Sequence, residues 1–398
     1  MDIKQKVGIF SFFSGAGFLD LGFEALDLFK IIFVNEFHPP FMEAYKFSRQ
    51  KMGLEEPLFG YDTSDIKDIS IGNRLEILNS YVKKAREKFG IVGFIGGPPC
   101  PDFSIGGKNR GEGGENGQLS GCYVNLICET LPDFFLFENV KGLWRTKRHR
   151  QFYEILKIQL INSGYLLTER LINALEYGVP QNRERIILIG FNISFLQTSG
   201  IVGRKEFEIN KSFPWLRHVK YSLKDIYSKP WPSVTDFKEN SILDMPEGIE
   251  KELTVEFWFN KNKVSEHANF IHCFKPRQGI IRFKTVAEGD DSRKSFKRLH
   301  RWRYSPTAAY GNNEVHLHPY KIRRISVSEA LAIQSLPKEF ILPSTMSLSN
   351  MFKTIANGVP FLAAYGLANT LQNFIYSNTL HNKKYYFDKC ESKLFLNI

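Results

Sequence analysis

Short apolar runs alternate with amphipathic stretches along the first half of the chain. Val7 to Phe13 (VGIFSFF), Ile31 to Asn35 (IIFVN), Ile91 to Ile95 (IVGFI) and Asp133 to Phe137 (DFFLF) are brief segments rich in β-branched and aromatic residues, the pattern of strands covered on both faces. Between and after them apolar positions recur at helical spacing from Leu19 to Phe29, Pro39 to about Met52, Ile71 to Lys88, Leu119 to Leu131 and about Arg150 to Ser163. A further strand is expected at Asp65 and Ile66, and a hairpin-like pair from Tyr165 to Ala174 and Gln181 to Gly190. Strands alternating with helices predict an α/β fold whose sheet carries helices on both faces. From Phe191 the pattern changes, with no long amphipathic helix until about Ser326. Pro214, Pro230, Pro232 and Pro246 punctuate short apolar pieces there, predicting a smaller irregular domain of loops and short strands. Ser326 and Glu329 fit a capping box opening a helix to about Ser335, and a last helix is expected from about Pro360 to Tyr376. The chain therefore divides into residues 1–190, an irregular segment 191–320, and a return to the first domain over 321–398.

The polar residues that interrupt this pattern gather where strands end, which is where open α/β sheets place their ligand crevice. Ser14, Gly15, Ala16 and Gly17 follow the first strand and precede a helix, a turn that lets backbone approach a ligand closely. Glu36 stands at the end of the second strand, about twenty residues on, where an acid can accept both hydroxyls of a ribose; taken alone it favours a solvated surface acid, and its place after a strand brings the two readings level. The loop Gly96 to Ser104 (GGPPCPDFS) follows the next strand and holds Cys100. Pro98, Pro99 and Pro101 stiffen that loop and keep it out of strand or helix, which favours a reactive thiol over the usual small buried hydrophobe. Gly106 to Gln118 has glycine at six of thirteen positions and reads as an active-site lid beside the thiol. Glu138 follows another strand on the same edge, and a nucleophile with an acid is a catalytic pair. Arg183 and Arg185 have strand period and point to one face; a solvated strand end is the alternative.

Composition narrows the partner. The chain of 398 residues has 53 Lys and Arg against 42 Asp and Glu, a formal charge of +11, which suits a polyanion. Nucleic acid leads and an anionic membrane surface is the rival. Arg293, Lys294, Lys297, Arg298, Arg301 and Arg303, interleaved with Phe296, Trp302 and Tyr304, suit a phosphate backbone with bases nearby. No run of eighteen apolar residues and no cleavable leader is present, so a soluble cytoplasmic protein is expected. Five cysteines without CxxC spacing indicate neither a disulfide framework nor a structural metal site.

Taken in order, these stretches resemble the C5 cytosine DNA methyltransferases of bacterial restriction-modification systems, over nearly the whole chain. FFSGAG (Phe12 to Gly17) is similar to their cofactor loop, NEF (Asn35 to Phe37) to the ribose acid, Asp65 and Ile66 to the adenine-contacting pair, and GGPPCPDFS to the nucleophile loop. ENV (Glu138 to Val140) resembles the catalytic acid motif and QNRER the two-arginine strand. RWRYSPTAAYG with RRISVSEALAIQSLP resembles the motif closing the recognition region, and ANGVP (Ala356 to Pro360) the last motif. Departures are Pro101 where glutamine is usual, Ser11 and Phe18 at the ends of the first motif in place of aspartate and glycine, and Ala356 in place of glycine. None removes a catalytic side chain.

The resemblance implies a Rossmann-like S-adenosylmethionine-dependent sheet with a target-recognition domain. It implies cofactor contacts from Phe13, Gly15, Ala16, Gly17, Glu36, Phe37, Asp65, Ile66, Pro99, Leu119 and Asn357; the candidates for DNA contacts are Ser104 and, from the basic cluster, Lys297, Arg298, Arg301 and Arg303. Cys100 would attack carbon 6 of a flipped cytosine, Glu138 would bind N3, and Arg183 and Arg185 would orient the base's O2 and Glu138. The expected partners are double-stranded DNA and a cognate restriction endonuclease acting on the same site, with the enzyme itself a monomer. Three rivals remain at this point. An RNA cytosine methyltransferase would share the catalytic motifs. A nicotinamide-dependent oxidoreductase would explain the glycine turn alone, and a non-catalytic DNA-binding protein the charge alone.

Overall fold

A computed structural model describes residues 6–99, 115–201, 208–276, 280–310 and 314–379. Cys100, Ser104 and most of the expected lid lie outside the described residues. The apolar runs form a seven-stranded sheet: β1 (Val7–Phe12), β2 (Phe29–Asn35), β3 (Tyr61–Asp62), β4 (Ile91–Gly96), β5 (Phe134–Val140), β6 (Tyr165–Asn173) and β7 (Glu184–Asn192), in the order β3-β2-β1-β4-β5-β7-β6. This is the order of a dinucleotide-binding sheet with β7 inserted between β5 and β6. β7 runs antiparallel to both neighbours, and the other adjacent pairs are parallel. Order reverses between β1 and β4, so the loops leaving those two strands open into one crevice.

Helices cover both faces, as the alternation predicts. On one face Val7, Ile9 and Ile31 pack with α1 (Phe18–Glu24), with Met42 and Tyr45 of α2 (Pro39–Met52), and with the helix Phe361–Thr379. At Gly22 an added Cβ would stand 2.5 Å from that of Ala364, so α1 meets this last helix at backbone range. On the other face Phe10, Phe12 and Phe94 pack with α4 (Gly72–Phe89), α5 (Glu115–Thr130) and α7 (Lys147–Asn162). Two short helices complete the sheet's edge, α3 (Ile66–Ile69) and α6 (Lys141–Arg145).

Several expectations are corrected. α1 ends at Glu24 because β2 already begins at Phe29. Asp65 is on no strand; it caps α3, its carboxylate accepting from the Lys67 N–H at 3.0 Å. β5 continues through Glu138 to Val140 instead of ending at Phe137, since β7 pairs with it that far. The helix Leu348–Asn357, opened by Ser347, is an addition to the expected elements. Among the described residues of 208–320 the expected short strands are isolated bridges, such as Thr235 with Glu288 and Arg298 with Leu317, between short helices such as Leu223–Ser228 and Val255–Lys261. Val255, Trp258 and Phe259 share a core with the capping-box helix Val327–Ile333 and with Leu348–Asn357, so these two later helices anchor the irregular segment. No helix among the described residues is long and apolar enough to cross a membrane.

Candidate active site

The ends of β1, β2, β4 and β5 border a cleft of 1590 Å³ whose far wall comes from the 289–316 segment and from the Leu348–Asn357 helix. At one end the chain leaves β1 through Phe13 (φ 53°), Gly15 (φ 57°) and Gly17 (φ 81°), a left-handed sequence that turns the backbone amides sharply. Glycine is needed at position 17, where a Cβ would collide with the Arg49 guanidinium and the Tyr45 ring. Behind the loop Asp20 is fully buried and accepts from Ser11 and Tyr45, each at 2.8 Å, while Arg49 pairs with Glu24 at 2.6 Å. Ser11, the departure from the family pattern, is thus tied to a carboxylate supplied by α1.

Glu36 sits at the end of β2, its two oxygens accepting from the backbone N–H groups of Gly15 and His38 at 2.8 Å each. Burial pushes this carboxyl up, and the two amides with Lys353 at longer range draw it back. The solvated-acid alternative is excluded, because only 8% of Glu36 is exposed. Phe37 beside it is 62% exposed at the cleft edge, a large apolar face with little cover. Asp65, Ile66, Pro99, Leu119 and Asn357 line the same cleft. Asn35 donates to the carbonyls of Asp62 and Ser64, fixing the turn that presents Asp65.

At the other end Glu138 projects from β5, 7% exposed. Arg185 reaches it diagonally across the β5–β7 pair, where Val140 faces Arg185 and Glu138 faces Ile187. Nε of Arg185 lies 2.9 Å from Oε1 of Glu138, an ion pair whose alignment falls outside hydrogen-bond geometry, so that oxygen keeps its acceptor capacity. Gly97 crosses directly over the same carboxylate: a Cβ there would stand 2.7 Å from Oε2. Glycine at 97 therefore lets the backbone at the start of the proline-rich loop pass close over Glu138.

The two arginines of QNRER differ in what they hold. Arg183 is 1% exposed and donates to the carbonyls of Ala308 at 3.3 Å and Ala356 at 2.8 Å. Burial, and then Arg185, pushes its guanidinium pKa well below the usual value. It clamps β7 to the two segments on the far wall, while Arg185 alone pairs with Glu138.

The basic cluster also divides. Lys294, Lys297 and Arg303 line the cleft. Arg298 is buried completely, donating to the carbonyls of Val286, His318, Lys321 and Phe283 and lying 3.9 Å from the ring centre of Phe237. Arg301 is 4% exposed and holds Glu288 and Ser241. The expectation that Arg298 and Arg301 contact DNA is corrected, because their donors are committed inside the protein. Lys353 and Thr354 line the cleft from the additional helix; Ser347 followed by Leu348, Met351, Phe352 and Ile355 at helical spacing was the available signal.

Comparison with known proteins identifies the family. The model of the C-5 cytosine-specific DNA methylase family matches residues 7–373. The chain is 56% identical to Type II methyltransferase M.NmeDI of Neisseria meningitidis serogroup C, over 94% of this chain and 85% of that protein. It is 29% identical to Type II methyltransferase M.FnuDI of Fusobacterium nucleatum, over 92% and 94% respectively. In structure it is similar to a DNMT2 variant from Spodoptera frugiperda, with TM-score 0.56, 16% identity, and 92% of this chain and all of that one covered (100%).

Proposed function

The chain belongs to the C-5 cytosine-specific DNA methylase family, and from that premise we propose that Cys100, Glu138 and Arg185 carry its chemistry. The protein is a DNA cytosine-5 methyltransferase that uses S-adenosylmethionine, and the family match does not favour the RNA alternative. S-Adenosylmethionine supplies an electrophilic methyl group on a sulfonium. The chain's own residues must make carbon 5 of cytosine nucleophilic enough to accept it.

The observation that carries the assignment is Glu138, buried beneath Gly97 and paired with Arg185, in a cleft that continues to the Phe13–Gly17 loop. A thiolate adding at carbon 6 turns the ring into an enamine; a free thiol has a pKa of ~8.5, so some thiolate is present at neutral pH. Negative charge develops on the ring as the bond forms. Glu138 relieves it at N3, and Arg185 holds the carboxyl in place. After transfer a base removes the carbon 5 proton and the thiolate leaves, restoring the aromatic ring and the free Cys100.

The residues present fit the cofactor. Gly15 leaves the loop's surface open, Glu36 is held by two amides to receive ribose hydroxyls, and Phe37 offers a ring face at the edge. Ile66, Pro99, Leu119 and Asn357 would close around it. The target base lies inside a duplex stack and must be flipped out to reach this depth, at a cost of a few kcal/mol. Residues 191–320 would read the flanking sequence, with Lys294, Lys297 and Arg303 on phosphates. The Type II names of the two relatives support a place in a restriction-modification system; a cognate endonuclease, a cytoplasmic location and a monomeric enzyme belong to the same proposal.

Wild-type protein should transfer tritiated methyl groups from S-adenosylmethionine to duplex DNA and not to RNA, and should become covalently trapped on duplexes carrying 5-fluorocytosine. Cys100→Ser should do neither while keeping its fold. Cofactor-dependent turnover by Cys100→Ser near the wild-type rate would overturn the assignment.

A further inference from the structure

The chain leaves β5 at the cleft, runs through α6 into α7, and returns along the sheet to the start of β6 at Tyr165. α7 therefore begins at the edge of the sheet that carries the site and ends at the opposite one. Val140, Lys141 and Gly142 line the cleft, and Arg145 follows Gly142 by about one helical turn. Arg145, Lys147 and Arg148 thus stand on the rim beside Glu138. The cations of this stretch differ with their place along it. Farther down α7, Arg150 pairs with Glu154 at 2.7 Å, and Lys157 with Glu154 and Glu169 at 3.1 and 3.3 Å. At the rim the acids are already taken, Glu138 by Arg185 and Glu184 by Lys141. Arg145, Lys147 and Arg148 are exposed and have no acidic partner among the described residues.

Resting on the DNA methyltransferase reading above, we propose that Arg145, Lys147 and Arg148 bind backbone phosphates of the duplex on the sheet side of the flipped base. An exposed group of like charges without counter-charges fits a polyanion, and this one borders the cleft that must take the DNA. Lys294, Lys297 and Arg303 line the wall that the recognition segment contributes, so the duplex is gripped from both sides and not by that segment alone. Phosphate contacts carry no sequence information. The rim therefore holds any duplex equally and leaves discrimination among sequences to the other wall.

Salt titrations of the full chain on a random-sequence duplex test this grip. The logarithm of the binding constant falls with the logarithm of salt concentration by about 0.9 for each phosphate neutralised. Changing Arg145, Lys147 and Arg148 together to Gln should make that slope shallower by about 2.7, with melting temperature and S-adenosylhomocysteine binding kept. The single variants, at about 0.9 each, carry the test if the triple variant does not fold. Lys83 and Lys84 are also exposed, but on α4, whose end leads into the start of β4 at the opposite edge of the sheet. Lys83→Gln with Lys84→Gln should leave the slope as it is. A wild-type slope in the rim variants would overturn the contact. So would a comparable loss in the α4 variant, which would trace the effect to net charge alone. The DNA methyltransferase reading fails separately, if the wild-type protein binds no duplex and transfers no methyl group to it.

Discussion

The sheet half of the molecule and the segment from 208 to 320 use arginine in opposite ways. In the sheet, backbone donors and acceptors are matched by the ladders between strands, so Arg185 at the start of β7 can turn its guanidinium to Glu138. In the irregular segment carbonyls have no ladder. Arg298 supplies donors to four of them, and Arg301 ties Ser241 to Glu288. A guanidinium has five N–H groups in a planar fork, which suits it to gather loop carbonyls that would otherwise be buried unpaired. Arg183 shares both roles, sitting beside the active strand while donating to Ala308 and Ala356. Basic residues close in sequence are therefore of two kinds in such a region. Some bind the polyanion and others hold the fold.

Four measurements can break or sharpen that contrast. The largest effect belongs to Glu138→Gln, which should slow single-turnover methyl transfer by about 10² to 10⁴, the usual range for a general acid, with DNA binding and melting temperature nearly kept. An unchanged rate would make the carboxylate structural. Next, Arg298→Met should cost about 3–5 kcal/mol in denaturant unfolding, since it leaves four buried carbonyls unpaired. It should leave the salt dependence of DNA binding by the folded protein as it was, and a shallower slope would return Arg298 to the phosphate contacts.

The third measurement concerns pH. Burial, with Lys297 next, pushes His316 down to about 3 from 6.5. The unfolded chain therefore takes up this proton first, so the stability of the neutral ring is complete above pH 6.5 and is lost as pH falls towards 3. Stability should decline by about 1.4 kcal/mol per pH unit from this group, and His316→Gln should flatten the decline between pH 6 and 5. An unaltered slope would mean the ring is not held neutral. The smallest effect is that of Lys297→Gln or Arg303→Gln, each making the salt dependence of DNA binding shallower by about one counterion across all sequences. Stability should move by less than about 0.5 kcal/mol. A loss of stability like that of Arg298→Met, with the slope intact, would erase the distinction.

The sheet was legible because its strands are short apolar runs and its helices have one apolar stripe, signals that survive in any window of a dozen residues. Motif order pointed to Glu36, Glu138 and Arg185, which line one cleft, since the carboxyl ends of parallel strands and the start of the antiparallel β7 meet on one edge of the sheet. The helix Leu348–Asn357 escaped because Ala356 to Pro360 drew the reading as a motif and hid the helical spacing before it. Asp65 misled for a related reason: an acid after a gap reads as a strand end, and here it is a cap. Arg298 and Arg301 were out of reach, since their partners are loop carbonyls up to 23 and 60 residues away, which no local pattern encodes.

The close contact of Gly22 with Ala364 bears on how the protein is made. α1 is synthesised early, and the helix that covers it comes more than three hundred residues later. Until that helix leaves the ribosome, one face of the nascent sheet keeps Val7, Ile9 and Ile31 without their cover, an apolar surface open to association with other chains. The sheet half cannot finish folding as it emerges. Chaperone demand and premature termination should weigh on this protein more than on one whose first strands close over their own neighbours.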